Sequence, residues 1–540
     1  MIKHSTLKIN QNDNVAVALN DLKIGEVNID NKTINLNHFI PQKHKFSLEK
    51  ISKGCNVIFY GVIVGIAKED IYKGDLISTS NVAHHIEGEI KFNNSKSLNL
   101  NFNTEKYKDK TFLGYNRGDQ VGTENNWLFF PLVFCQNKNI ETLKDIFMKE
   151  FYEEKVSEQQ LFLRDLINEN NSTDIHFDHS TKSKSKKFEN IDVKFITHSG
   201  GCGETRQDSA TLGRLLAGYV NNPNVAGASI LSLGCEHLQV EVFKKYLYSI
   251  NPNFNKPLLF FNQQSTGNKK DLIKNIIKES MIEIKKANNL VRTPVSISKL
   301  VVGLECGGSD GFSGISSNPT IGRVSDIICF LGGSSILSEF PELCGVEQEI
   351  VNRSNSKKIA RRFIDLMRTY EKRANDVDSG FDMNPSFGNI QDGLITDAMK
   401  SAGALKKGGS SKIVDVLDYT EYVKKSGLNL LCTPGNDVES TTGMVGSGAN
   451  IVLFSTGLGT PTGNPICPVI KISSNSQLFL KMDDIIDFDC GEIITGNKTI
   501  EECSSDLIDL IIDIASGKTI TKSSYNKQED FIPWKRGISL

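Results

Sequence analysis

The chain has no excess of charge of either sign, no long apolar run and no cysteines at metal-finger spacing. Its 62 lysines and arginines offset 64 aspartates and glutamates, so no overall field draws it to nucleic acid or an anionic membrane. No stretch approaches the ~18 consecutive apolar residues of a membrane-spanning helix. The opening MIKHSTLKINQNDNVAVAL lacks the charged, apolar, then small-residue layout of a signal peptide. The 11 cysteines follow no disulfide framework and include no CxxC, which is cytosolic usage, so a cytoplasmic location is expected. Also missing are GxxxxGK[ST] and GxGxxG. Nucleotide and dinucleotide chemistry therefore lack their usual apparatus.

What is present is a succession of small units. At 540 residues the length allows two to four domains and a sizeable core. Residues 1–88 carry short alternating runs between glycine turns, such as DNVAVAL and NVIFYGVIVGIAKED, and predict a small β domain. Residues 89–110 are polar and read as a linker. Two α/β domains are expected beyond it, at 111–290 and 291–540, with a polar surface insertion at 168–190 whose His176 and His179 read as solvated. From about residue 190 onward a single pattern recurs: a short apolar strand, then a loop of Gly, Ser, Thr, Asn and Cys, often then a helix. VKFIT leads into HSGGCGETRQD, AGASILSL into GCEH, KLVVGL into ECGGSDGFSG, and DIICFL into GGSSILSEFPEL. LNLLC and NIVLFST lead into TPGNDVESTTG and GLGTPTGNPICP. Strands apolar throughout suit a mostly parallel sheet covered on both faces. Loops beyond the carboxyl ends of such strands converge on a crevice, so these loops are expected to gather on one face.

Three of the loops each hold one cysteine: Cys202, Cys235 and Cys306. Glu236 and Glu305 adjoin two of them, His198 ends the first strand, and Cys235 is expected at a helix N-terminus that favours thiolate. Thiolate, imidazole and carboxylate together suit a divalent metal or an iron–sulfur centre. Packing of small buried residues at strand ends would explain any one of them equally well. Ser309, Ser313, Asn318, Asn436 and Asn464 suit a polyhydroxylated ligand, although such residues also cap loops. Arg323 and Lys471 could hold a carboxylate.

These loops, in this order, resemble the altronate and galactarate dehydratase family along nearly the whole chain. HKFSLEKISKGCNVIFYGVIVGIAKEDIYKGD resembles the family's N-terminal SAF-type β-clip domain. FLGYNRGDQVGTENNWLFFPLVFC, NPNVAGASILSLGCE, CGGSDGFSGISSNPTIG, NPSFGNIQDGLIT, TPGNDVEST and LFSTGLGTPTGNPICPVIKISSNS resemble further blocks. The resemblance implies an α/β fold in which an SAF-like β-clip domain precedes a larger catalytic region with mostly parallel strands. One departure stands out. Many members carry HVHN at the end of the β-clip domain, whereas here Ile77–Asn81 reads ISTSN, with Ser78 and Ser80 in place of the histidines.

The implied activity is hydro-lyase chemistry on a hexonate or hexarate, closest to dehydration of D-altronate to 2-keto-3-deoxy-D-gluconate in hexuronate catabolism. A divalent metal, iron(II) first and manganese(II) second, is expected as cofactor, with an iron–sulfur cluster as the alternative. The catalytic candidates are His198 and Glu305 as acid or base, and Asp310, which with neighbouring serines would orient substrate. Ser309, Ser313, Asn318, Arg323, Asn436 and Asn464 would bind substrate, and Cys202, Cys235, Glu236 and Cys306 would hold the metal. A small sugar acid is the expected partner, without nucleic acid or membrane, and a homodimer is expected for this size. Galactarate or another hydroxy acid is the alternative substrate, and a non-catalytic sugar-acid-binding protein is the alternative of another class.

Overall fold

A computed structural model describes residues 4–29, 32–84, 90–92, 105–152, 158–167 and 187–536. Most of the expected insertion, with His176 and His179, lies outside the described residues, as does the central stretch of the expected linker.

The N-terminal residues form antiparallel ribbons. Thr6–Leu7, Val15–Ala18, Lys45–Ser47 and Leu76–Ile77 make one sheet, Gly25–Ile29 pairs with Lys32–Leu36, and Val62–Ala67 lies between Asn56–Phe59 and Val82–Ala83. Val15, Val17, Val57, Phe59 and Val64 are buried. Their core is not closed: Phe312, Ile315, Ile395 and Met399 of the C-terminal region pack into the same cluster. The small unit is thus welded to the large one through shared apolar burial, the dominant favourable term in folding.

Two parallel sheets follow. The first contains β1 (Asn126–Pro131), β2 (Asp192–Phe195), β3 (Val225–Ser232) and β4 (Leu258–Asn262), in the order β2-β1-β3-β4. The second contains β5 (Val301–Cys306), β6 (Ser334–Leu337), β7 (Ile413–Leu417), β8 (Gly427–Leu431), β9 (Ile451–Thr456), β10 (Val469–Ser473) and β11 (Phe488–Asp489). Its order is β7-β8-β6-β5-β9-β10-β11, parallel throughout. One face of this sheet, through Ile336, Leu431, Val452 and Phe454, packs with Leu128, Phe130 and helix α1 (Arg206–Asn221) of the first. The other, through Leu304, Leu337, Leu453 and Ile470, faces α2 (Ser317–Phe330) and the N-terminal unit. Both faces are covered, so its strands are apolar throughout.

Two expectations change. The run DIICFL is not a strand but the last turns of α2, and the strand is Ser334–Leu337 behind it. Almost all of α2 is buried, so its sequence shows no polar stripe that would betray a helical period. The cysteine loops also do not share one carboxyl edge. Those of Cys202 and Cys235 follow β2 and β3 of the first sheet, while that of Cys306 follows β5 of the second.

Candidate active site

The carboxyl edge of the large sheet gathers charge that the interior would ordinarily refuse. Glu305 stands next to last in β5, in register with Phe454 of β9, which pairs with Lys471 of β10. Residues at one register share a face, so Glu305, Phe454 and Lys471 form a row. Glu305 Oε2 accepts from Ser440 Oγ at 2.7 Å and Ser338 Oγ at 3.1 Å, while its Oε1 is buried without a partner. Glu339 follows β6 in the left-handed region, at φ 64°. Its backbone N–H donates to Thr433 Oγ1 at 2.8 Å, which fixes the turn. Its Oε2 accepts from Lys407 Nζ at 2.7 Å and from the Cys306 backbone N–H at 3.1 Å, while its Oε1 is another buried oxygen without a donor.

The third carboxylate opens helix α4 (Asp437–Gly446). The Asn436 side chain caps this helix, accepting from the N–H groups of Val438 and Glu439 at 3.1 Å each. That cap sets Asp437 in the first turn and Ser440 one turn further, facing Glu305. Carboxylate oxygens of Glu305, Glu339 and Asp437 all lie within 4.8 Å of one another. Burial, then Glu339, raises the Glu305 carboxyl well above its usual range. The same causes in the same order push Asp437 up to about 7. Burial, then Glu339, also raises the Cys306 thiol. Burial works to lower the Lys407 ammonium, but Cys306, Glu339 and Glu305 outweigh it and hold the group above its ordinary value.

Glycines let the loop after Cys306 thread through this crowd. A Cβ on Gly307 would overlap Asp437 Oδ2, and one on Gly314 would overlap the Tyr60 hydroxyl of the N-terminal unit. One on Gly311 would stand 2.6 Å from the Lys43 carbonyl oxygen and 2.8 Å from that of Asp392. The loop is bare because protein backbone and side chains press on it from several directions. Asp310 at its centre is saturated. Its Oδ1 accepts from the N–H groups of Phe312 and Ser313 and from the hydroxyls of Ser313 and Ser474. Its Oδ2 meets Lys43 Nζ at 3.1 Å and Asn475 Nδ2 at 3.2 Å. Lys43 also pairs with Asp392 at 2.6 Å. Beside it, burial lowers the enclosed Lys45 ammonium to about 7.

Of the residues expected from sequence, Glu305, Cys306, Asp310, Ser309 and Ser313 stand at this edge, as does Lys471. Asp310 and Ser313 hold the loop, and the Ser309 carbonyl accepts from Asn389 Nδ2 at 2.7 Å. Asn318 donates from Nδ2 to the Gly403 carbonyl at 3.0 Å and keeps a buried, unpartnered Oδ1. Lys471 Nζ lies over the Phe454 ring, buried and without a hydrogen-bond acceptor, and burial lowers it to about 7.

The structure gives the other expected residues contacts of their own. His198 shares its ring nitrogens between the Pro131 carbonyl, 2.7 Å from Nε2, and the Gly200 N–H, 3.2 Å from Nδ1, and burial lowers it to about 4. Both nitrogens are therefore engaged by backbone groups. Arg323 pairs with Glu501 at 3.3 Å. Asn436 is a helix cap, and Asn464 spans Tyr219 Oη and the Ile466 N–H. Glu236 accepts from Ser232 Oγ and the Gly234 N–H. Cys202 and Cys235 are exposed on the first sheet, and among the described residues no close group of ligand atoms joins them to Cys306. Ser78 and Ser80 bond each other at 2.6 Å.

Sequence reasoning missed Glu339, Asp437, Lys407 and Lys43. Glu339 was detectable as an acid just beyond an apolar strand. The two lysines carry no local signal.

The oxygen donors suit a divalent cation such as magnesium, manganese or iron(II). Two buried carboxylate oxygens without donors are a costly arrangement that a cation relieves. An iron–sulfur cluster asks for several thiolates, and this edge offers Cys306 alone among the three cysteines expected to form one.

Comparisons with known proteins cover the chain from end to end. Residues 4–85 match the family model described as the altronate/galactarate dehydratase SAF domain, 114–288 the D-galactarate dehydratase/altronate hydrolase second domain, and 297–539 the D-galactarate/altronate dehydratase C-terminal region. Altronate dehydratase of Escherichia coli (strain K12) is 34% identical over 538 residues, covering 99% of each chain. Altronate dehydratase of Bacillus subtilis (strain 168) is 30% identical, over 99% of this chain and 100% of that one. Galactarate dehydratase (L-threo-forming) of Escherichia coli (strain K12) is 30% identical, over 96% of this chain and 94% of that one.

Proposed function

For a chain that belongs to the altronate and galactarate dehydratase family, and is thus a hydro-lyase acting on a sugar acid, we propose that the substrate is D-altronate and the product 2-keto-3-deoxy-D-gluconate. The observation that carries the reading is the Glu305–Glu339–Asp437 cluster at the carboxyl edge of the large sheet. Loss of water from a hydroxy acid removes a weakly acidic proton next to a carboxylate, so negative charge developing there must be met by fixed positive charge. Glu305, Glu339 and Asp437 would hold a divalent cation, iron(II) or manganese(II). When bound, it supplies Lewis-acid stabilisation of that charge.

The chain's own groups prepare the site. Ser440 and Ser338 orient Glu305 through Oε2, leaving Oε1 to carry a proton or face a cation. Lys407 holds Glu339 in place. Charge supports a one-carboxylate acid over a two-carboxylate one. Lys43, Lys400 and Lys407 are each already paired with a carboxylate and Lys45 donates to backbone carbonyls, whereas Lys471, with no acceptor of its own among the described residues, would answer a single carboxylate.

The test is turnover of D-altronate and of galactarate by anaerobically purified protein, with and without added iron(II), scoring the 2-keto-3-deoxy acid. Metal-dependent product from altronate is the expected result. Product from galactarate alone would move the substrate to the hexarates. Tight binding of either acid without product would make the chain a sugar-acid-binding protein.

A further inference from the structure

The turn after β6 supplies two buried acids, and only one belongs to the cation cluster. The Glu342 N–H donates to the Glu339 carbonyl at 2.8 Å, so a single tight turn, Phe340–Leu343, presents both. Glu342 Oε1 accepts from Lys400 Nζ at 2.7 Å and from Asn384 Nδ2 at 2.9 Å. Its Oε2 is buried with no donor. Lys400, from helix α3 (Asp397–Ala404), also donates to Asn384 Oδ1 at 2.7 Å and Asn389 Oδ1 at 3.2 Å.

The pair stands beside the cluster. Its charges act on both Asp437 and Cys306. A Cβ on exposed Gly435, just before the α4 cap, would be 3.9 Å from Glu342 Oε1, so the buried carboxylate lies within van der Waals contact of a surface position. Burial opposes its charge, but Lys400 holds the carboxyl below its ordinary value. An ionised acceptor with one oxygen unmet in a dry place is costly. A hydroxyl group can satisfy it, whereas a second carboxylate there would face like charge.

We propose that Glu342 is the specificity-determining residue at the end of the substrate remote from the reacting carboxylate. Its Oε2 accepts a terminal or near-terminal hydroxyl, and its bond to Lys400 withholds that lysine from a second carboxylate. The inference rests on the dehydratase reading and adds to it the residue that separates one-carboxylate from two-carboxylate sugar acids.

The test compares kcat/KM for D-altronate and galactarate in wild type, Glu342→Gln and Lys400→Met. Glu342→Gln frees the lysine, so the altronate-to-galactarate ratio falls, by about tenfold or more. Lys400→Met leaves the carboxylate without its cation, so the ratio rises or stays at its ceiling. A merely structural pair would lower both substrates alike in both variants. An unchanged ratio in Glu342→Gln overturns the inference. If that variant does not fold, as judged by circular dichroism, Glu342→Asp stands in: it draws the carboxylate back from the lysine, and a falling ratio supports the inference while a constant one overturns it. Wild type inactive on both acids defeats the dehydratase reading, and this one with it.

Discussion

Glu339 and Lys407 meet at 2.7 Å, each side chain 1% exposed, with the Cys306 sulfur 3.4 Å from the same carboxylate oxygen. Removing one partner from such a pair strands a charge out of reach of water. Lys407→Met is expected to cost about 3–5 kcal/mol of unfolding free energy, and Glu339→Gln combined with Lys407→Met much less. Denaturant unfolding of the single and double variants measures this. Equal losses in both would mean that the pair is not electrostatically closed.

The proposed cation site at Glu305, Glu339 and Asp437 makes a second prediction. Asp437→Asn should weaken manganese(II) binding by at least about tenfold to a hundredfold, while Cys202→Ser with Cys235→Ser leaves it unchanged. Titration calorimetry on metal-stripped protein distinguishes the two donor sets. With the Asp437 carboxyl pushed up to about 7, cation binding must expel protons, so affinity falls as the solution is acidified through neutrality.

The glycine loop should resist even one methyl group. Gly314→Ala puts a carbon into the Tyr60 hydroxyl and 2.8 Å from Gly403 Cα, and overpacking of this kind costs about 1–3 kcal/mol. Tyr60→Phe removes the first clash, so the double variant should recover some of the loss. Thermal melts of the three variants would show no recovery if the two units did not touch here.

His198 should leave a signature in acid. Its folded pKa, lowered from 6.5 to about 4 by burial, means that the native state binds fewer protons than the unfolded chain between those values. Stability from this group is complete above the unfolded pKa and is lost as pH falls toward 4, by about 3 kcal/mol. His198→Gln should flatten that stretch of the pH–stability curve measured in urea. A variant as acid-sensitive as wild type would place the effect elsewhere.

Much of this architecture can be read before any coordinates. Val301–Leu304 and Ile451–Phe454 are uniformly apolar, as strands covered on both faces must be, and the breaks at Glu305 and Cys306 mark the edge where chemistry collects. The buried second half of α2 defeats the same reading, because an apolar run without a polar stripe fits helix and strand alike. Among site residues, Glu305 and Cys306 were legible from their place at a strand end. Asp437 was hidden because an acid in the first turn of a helix is also an ordinary capping choice. Lys43 could not be found locally at all, since its partner Asp392 lies 349 residues away in sequence. The three cysteines looked equivalent because each follows an apolar strand, but periodicity carries no information on which sheet a strand joins.

Lys43 brings the N-terminal unit into the chain of contacts that runs from Asp392 through Asp310 to the glycine loop. The small unit therefore cannot swing as a hinged lid without breaking the ion pair of Lys43 to buried Asp310 and tearing a shared core. Heritable changes in it should be felt as changes in turnover. A search for activity-altering variants would find them around residues 43–60, far along the chain from any group that meets the substrate.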